Sequence, residues 1–308
     1  MAISFASCGN VEVDMEYDIY KDSVKFGLSP DQEAGAGAFY AQDKCIGTTQ
    51  LVGDDSFKDL AAAYGAFDDT SREIRNASGL FDKIYPASTT KIMTAMVALK
   101  YGDLKQVLTV PEEAVTSTSG TSVAGLQSGD KISLGDLLYA LMICSGNDAA
   151  YTIACGVGGS VSDFANLMNE EAAALGASHS HFVNPHGLHD DMHYTCAYDM
   201  YLIFHEAIRN PDFIRLIKKS KKKVTYQHSD GSSVSVTYNT TNQYLSGVRK
   251  MPKNIKIIGG KTGTTNAAGY CLVVYGREKK TKHQIIGIVY KAESRDSLYS
   301  IMTGIMSR

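Results

Sequence analysis

Ser88-Thr89-Thr90-Lys91 places a hydroxyl and an amine three residues apart. On a helix, positions i and i+3 lie on one face with about 5–6 Å between Cβ atoms, so the two groups can exchange a proton. A serine hydroxyl is a weak nucleophile until a neighbouring base takes its proton. Lysine serves as that base only when burial or a second cation lowers its pKa. The implied chemistry is attack by the Ser88 hydroxyl on a carbonyl carbon, and it needs another positive charge near Lys91. A helix starting at the serine would add its positive end and free N–H groups.

The S-x-x-K pattern is weak by itself. Ser128-Gly-Asp-Lys131 and Ser220-Lys-Lys-Lys223 also match, but both lie in polar or charged stretches and read as solvated surface. Two further groups add specificity. Ser145-Gly146-Asn147 falls between two expected helices, which displays its side chains on a loop. A second hydroxyl there can relay protons, and an asparagine amide can hold both a lysine and a substrate carbonyl. Lys261-Thr262-Gly263 follows a strand and two glycines. A strand bearing Lys and Thr, with Gly for close approach, can line a substrate as an added strand would. Lys261 also supplies the second cation that Lys91 requires. Coincidental cap and turn residues could account for any one of these groups. They do not account for S-x-x-K, S-x-N and K-T-G in that order.

These groups must be positioned by regular elements. Before Ser88, 61–67 reads as a strand, 68–71 as a turn and 74–81 as a returning strand. Ile92, Met93, Met96, Val97 and Leu99 recur at helical spacing, so 89–101 is a buried helix, with Ser88 a good capping residue at its start. Residues 103–210 are mainly helical, with helices expected over 134–143, from about 148 to 156, over 162–175 and over 198–208. The chain turns β-like after Lys221, with a hairpin around Asp230-Gly231. Strands over 255–259, 270–275 and 284–290 and a helix over 297–306 complete it. Strands at both ends with helices between imply a sheet built from the termini and a helical insertion.

Composition narrows the function classes. The 308 residues are 44% apolar and 20% charged, which excludes a disordered chain, a coiled coil or a fibre. With 30 basic against 33 acidic residues the net charge is −3, so no global field attracts nucleic acid, and no nucleic-acid partner is expected. No stretch approaches the ~18–20 apolar residues that cross a bilayer. The six cysteines show no CxxC spacing, which argues against a zinc ribbon or redox motif. Small residues run directly into Cys8, as at the end of a bacterial lipoprotein signal; a bland N-terminus is the alternative. Residues 9–55 are polar, acidic and rich in Gly and Ala, and 1–55 reads as an N-terminal extension that docks on the main body or stays loose.

With these motifs in hand, the chain resembles the serine-type D-alanyl-D-alanine carboxypeptidases, the low-molecular-mass penicillin-binding proteins. The resemblance rests on the stretches 85–95, 144–150, Asn184-Pro-His-Gly-Leu and Gly259-Gly-Lys-Thr-Gly-Thr-Thr, and covers roughly 60–308. It implies an α+β fold of the β-lactamase/DD-peptidase kind: an antiparallel sheet flanked by helices, with an inserted all-α subdomain at about 103–210, within a catalytic domain at 56–308. It implies that Ser88 is the nucleophile, Lys91 its base, Ser145 the proton relay, and Asn147 the holder of Lys91 and the substrate amide. Lys261 and Thr262, with Gly263, would meet the substrate's terminal carboxylate, and the backbone N–H groups of Ser88 and Thr264 would form the oxyanion hole. The implied partners are peptidoglycan peptides ending in D-Ala-D-Ala, and β-lactams as covalent inhibitors, in the bacterial cell envelope. No cofactor and no metal are implied.

Departures from the pattern qualify this. Some members carry an arginine just upstream of the K-T-G strand; none lies in 239–245, and Arg249 is only a candidate. The chain ends soon after its last strand, so any membrane tether is expected at the N-terminus, at Cys8. A β-lactamase is the competing enzyme, but Gly146 replaces the usual aspartate and no Glu-x-x-Leu-Asn is found. A β-lactam sensor without turnover is the competing binder. His179, His181, His186, His189 and His193 invite a metal, but an ordered loop beside the cleft is the preferred reading. The lysine-rich run 218–223 reads as a solvated face, with contact to anionic wall polymers the sharper alternative.

Overall fold

Two nearly continuous apolar runs, 271–275 and 285–290, decide the architecture, because strands that read this way are buried on both faces. The computed structural model describes residues 42–53 and 56–307. Its first elements are β1 (Ala63–Asp68), β2 (Glu73–Ser78), a 3-10 turn (Ala87–Thr90) and α1 (Lys91–Tyr101). A mainly helical stretch follows, with β3 (Val107–Thr109), α2 (Glu112–Thr116), β4 (Lys131–Ser133), α3 (Leu134–Tyr139), a π-type turn (Ala140–Cys144), α4 (Asn147–Gly158), α5 (Val161–Ala174), α6 (Ala197–Arg209) and α7 (Pro211–Ile217). The chain closes with β5 (Lys221–Gln227), β6 (Ser233–Asn239), β7 (Ile255–Thr265), β8 (Gly269–Glu278), β9 (Gln284–Ala292) and α8 (Arg295–Met306).

The main sheet has the order β2-β1-β9-β8-β7, antiparallel throughout, so both ends of the folded chain build it. Side chains alternate between its two covered faces. Leu272, Val274, Ile285 and Val289 face α8 and pack with Leu298, Ile301, Met302 and Ile305. Val273, Tyr275, Ile286, Ile288 and Tyr290 belong to the larger core shared with α1, α4 and α6. Burying each large aliphatic side chain contributes about 1.5–3 kcal/mol. At Gly287 a Cβ would meet Met302 Sδ at 2.5 Å, so glycine lets α8 close on the sheet.

This is the expected α+β architecture, with differences in detail. The expected helical insertion also carries β3 and β4, which join the 221–239 hairpin in a second sheet of order β3-β4-β5-β6. Each is three residues long, too short for an alternating pattern to register. The helix expected over 134–143 changes to a wider π-type turn at Ala140. Ser88 does not cap a helix: it lies within the 3-10 turn, and no side chain caps that turn or α1. The K-T-G residues lie inside β7 rather than after it. Among the described residues no helix is long and apolar enough to cross a membrane.

Most of the N-terminal stretch 1–55, including Cys8, lies outside the described residues. Its end is docked. Val52 pairs with Ala77 of β2, and Cys45 is fully buried, its N–H donating to Tyr201 Oη at 2.8 Å. His205 of α6 anchors this docking: Nδ1 lies 2.7 Å from Asp69 Oδ1 and Nε2 3.3 Å from Asp43 Oδ2, while Arg209 also reaches Asp43. Burial alone would lower the His205 pKa, but hydrogen bonds and charge from Asp69 and then Asp43 outweigh it and raise it. A raised folded-state pKa gives stability that is complete below the unfolded value of about 6.5 and is lost as pH climbs through the folded value. Thermal melts across pH 6 to 9 are expected to show the protein losing stability over that window, and His205→Gln to flatten the loss. An unchanged slope in the variant would contradict this assignment.

Candidate functional site

Ser88 is held by a strained turn. Ala87, just before it, has φ +48°, a left-handed conformation that a residue with a Cβ adopts at a cost. The turn is tied on two sides. Toward the sheet, Thr89 Oγ1 donates to Pro86 O at 2.7 Å and lies 2.8 Å from Tyr290 Oη on β9. Toward the 183–193 loop, Thr90 Oγ1 donates to Ala87 O at 2.8 Å and lies 2.7 Å from His193 Nε2. Val183 N–H donates to His193 Nδ1 at 3.1 Å, so Nδ1 is an acceptor and Nε2 carries the ring proton. Burial pushes the His193 pKa down to about 4, which keeps that ring neutral. Gly187 packs where a Cβ would sit 1.8 Å from Ala87 O, and its φ is +82°, so only glycine fits.

Lys91 begins α1 and is fully buried. Its Nζ lies 2.6 Å from Asn147 Oδ1, 2.7 Å from His186 O and 3.0 Å from Ser88 Oγ. Burial, and then the charge of Lys261, hold its pKa well below the ordinary lysine value. A neutral amine has two N–H donors and one lone pair. The two shorter contacts are to carbonyl oxygens, which can only accept. The lone pair is then left for the Ser88 hydroxyl proton, the arrangement a base requires.

The second group sits across from it. The π-type turn delivers Ser145 at φ +65°, ψ 34°, another left-handed non-glycine residue. Such turns are frequent at functional sites. Lys261 Nζ lies 2.9 Å from Ser145 Oγ and 2.8 Å from Thr262 O, and burial lowers its pKa to about 7. Asn147 is oriented by a residue that sequence reasoning missed: its Nδ2 donates to Thr121 Oγ1 at 2.9 Å, which turns Oδ1 toward Lys91. Asp148 was missed too. Its buried carboxylate accepts the N–H groups of Ala124, Gly125 and Leu126 and fixes the loop that carries Thr121 and Ser122.

Ser88, Ser145, Thr262, Gly263 and Thr264 line one cleft of about 550 Å³, while Lys91, Asn147 and Lys261 lie beneath its floor with at most 3% of their surface exposed. A Cβ at Gly263 would come within 2.9 Å of Ser88 N, so glycine allows β7 to approach the turn. Thr262 Oγ1 lies 2.6 Å from Thr241 Oγ1, which also lines the cleft. Arg249, the candidate carboxylate ligand, is instead committed to Gln243 and Asp296. Arg295, which sequence reasoning did not single out, lines the cleft. It opens α8 behind the capping Ser294, so its place follows from the helix start.

The remaining candidates lie elsewhere. Lys131 and Lys223 are exposed in the second sheet. The five histidines have separate engagements: His181 Nδ1 with Met192 O, His186 through its carbonyl with Lys91, His189 with Asp191, His193 with Thr90, and His179 beside Asp199. A second cavity of about 620 Å³ beside α6 and α7 holds the Lys100–Glu171 ion pair and none of the motif residues.

The tie from His193 through Thr90 to the strained Ala87 carbonyl should contribute measurably to stability. Thr90→Val and His193→Phe are each expected to lower it by about 1–3 kcal/mol, because each leaves a buried partner unsatisfied. The double variant should lose less than the sum of the two in denaturant unfolding. Strict additivity would contradict the link.

A model of the D-alanyl-D-alanine carboxypeptidase family matches residues 59–294. The D-alanyl-D-alanine carboxypeptidase DacF of Bacillus subtilis is 30% identical over 229 residues, which cover 73% of this chain and 56% of the relative. The D-alanyl-D-alanine carboxypeptidase DacC of Escherichia coli is 33% identical over 222 residues, covering 69% of this chain and 52% of the relative. The chain thus spans about half the length of the curated relatives it matches. The crystal structure of the Streptomyces K15 DD-transpeptidase is similar with a TM-score of 0.73 at 28% identity, covering 84% of this chain and 98% of that one. With its family match spanning S-x-x-K, S-x-N and K-T-G, the chain belongs to the D-alanyl-D-alanine carboxypeptidase family.

Proposed function

We propose that this chain is a serine-type D-alanyl-D-alanine carboxypeptidase that removes the terminal D-alanine from peptidoglycan stem peptides through an acyl-enzyme on Ser88. The observation that carries this is the buried Lys91 amine, with two carbonyl oxygens on its donors and Ser88 Oγ at 3.0 Å. Ser88 Oγ attacks the carbonyl carbon of the penultimate D-alanine, and Lys91 takes the hydroxyl proton. The tetrahedral oxyanion faces the N–H groups of Ser88 and Thr264; one such donor is typically worth about 3–4 kcal/mol. The C–N bond breaks as the leaving amine receives a proton from Ser145, which is replenished from Lys261, 2.9 Å from its Oγ. Water then attacks the ester, releasing the shortened peptide and restoring Ser88.

Asn147 holds Lys91 and the substrate amide. Thr262 and Arg295 meet the departing residue's carboxylate at the cleft surface, and Lys261 adds its charge from beneath. Penicillins, which carry a strained amide and a carboxylate, acylate the same hydroxyl. Among the described residues lining the cleft there is no carboxylate to activate a deacylating water, which favours a long-lived penicilloyl-enzyme over a β-lactamase. The substrate places the enzyme outside the cytoplasm, in the bacterial cell envelope. A tether at Cys8 is part of this reading.

Intact mass spectrometry with penicillin, run beside a D-alanine release assay, tests it. The wild type is expected to gain one adduct and release D-alanine from a peptide ending in D-Ala-D-Ala. Ser88→Ala should gain none and lose at least about 10³-fold in release. Arg295→Gln should retain the adduct site but lose about tenfold in kcat/KM. An adduct without D-alanine release would make the chain a sensor, and rapid repeated penicillin hydrolysis would make it a β-lactamase.

A further inference from the structure

Six cations gather at the end of β7 and β8 away from the K-T-G residues. Lys256 and Arg277 are direct cross-strand partners, and the neighbouring pair is Ile255 and Glu278. Lys279 N–H donates to Asn254 O at 2.8 Å, which draws Lys253 to the turn that carries Lys279, Lys280 and Lys282. All six side chains are exposed, and none forms an ion pair with a described carboxylate. The one acid within this turn, Glu278, is taken by Arg75 at 3.2 Å and by Thr281. Two other bonds are local: Lys282 Nζ donates to Lys279 O at 2.6 Å, and Arg277 Nη2 to Tyr275 Oη at 3.3 Å.

This arrangement works against the fold. Like charges directly opposite on adjacent strands are destabilising, and the chain as a whole is acidic, at −3. Lysine on an edge strand guards against aggregation, and β7 is an edge. That accounts for Lys256 but not for the cations of β8 and its turn, which are off the edge. A local rule broken without a local gain points to a ligand.

We infer that this cationic end of the sheet is a docking surface for a linear phosphodiester polyanion, distinct from the peptide cleft. Five of the six cations are lysines, compact point charges that can follow a chain of singly charged phosphodiesters without the fixed planar geometry an arginine fork imposes. A bilayer surface would call for Trp, Phe or Leu beside the cations. Among the described large exposed apolar residues only Met251 adjoins them in sequence. Lys261 is five steps along extended chain from Lys256, about 17 Å. A bound polymer therefore lies alongside the cleft without entering it, and holds the enzyme within an anionic layer.

Fluorescence anisotropy with end-labelled inorganic polyphosphate tests this at two salt concentrations. The wild type is expected to bind and to weaken steeply as salt rises. Replacing Lys253, Lys256, Lys279 and Lys280 by Gln together should weaken binding at least about tenfold, with a melting temperature no lower than that of the wild type. Replacing Lys218, Lys219 and Lys221 by Gln should change it less than about twofold. No wild-type binding would overturn the inference. So would an equal loss from the second set, or binding to phosphatidylglycerol vesicles but not to polyphosphate.

Discussion

A single buried amine sets the terms for the rest of the structure. Removing a lysine ammonium from water costs far more than removing a neutral amine, so burial lowers the Lys91 pKa and favours the neutral form, whose lone pair can accept a proton. The molecule must then tell the neutral amine where to point. Asn147 Oδ1 and His186 O occupy its two N–H bonds. Thr121 fixes the asparagine, and Asp148 fixes the loop bearing Thr121. The 183–193 loop delivers the His186 carbonyl, helped by Thr94, whose hydroxyl donates to Pro185 O at 2.6 Å. Each shell exists to orient the one inside it.

The same precision has a cost in backbone strain. Ala87 and Ser145 both hold positive φ, and each lies at or next to a hydroxyl that lines the cleft. Such conformations persist only where their surroundings over-determine them. Ala87 is pinned by Thr90 and Gly187, and Ser145 by the π-type turn and Lys261. The rigid parts absorb this. β7 is laced to β8 along its length, β8 and β9 are buried on both faces, and α8 closes the far side. The cleft stands where this frame meets the helices, so K-T-G arrives on a strand and S-x-x-K on a 3-10 turn that runs into α1.

How much of this could be read from the chain follows from the range of each interaction. Ser88 and Lys91 are legible because i and i+3 are local, and the doubly buried strands are legible because long apolar runs leave few choices. Three-residue β3 and β4 carry no period to detect. The seven-residue α7 is too short to establish a helical period, although Asn210-Pro211 is a good capping pair. A π-type turn shares its apolar pattern with an α-helix, so its change of direction at Ser145 is invisible in one sequence. Thr121 on Asn147, His193 on Thr90 and Arg295 in the cleft are long-range contacts between residues that are ordinary in isolation. The register that sets Lys256 against Arg277 is of the same kind.

The state of the Lys91 amine is the most direct point of attack. Lysine ¹³Cε resonances followed through a pH titration, with the Lys91 signal assigned by its loss in Lys91→Arg, report its protonation. The account predicts that Lys91 is neutral at pH 7 and that Lys261→Gln raises its titration midpoint. A Lys91 that titrates like an exposed lysine, indifferent to position 261, would contradict it.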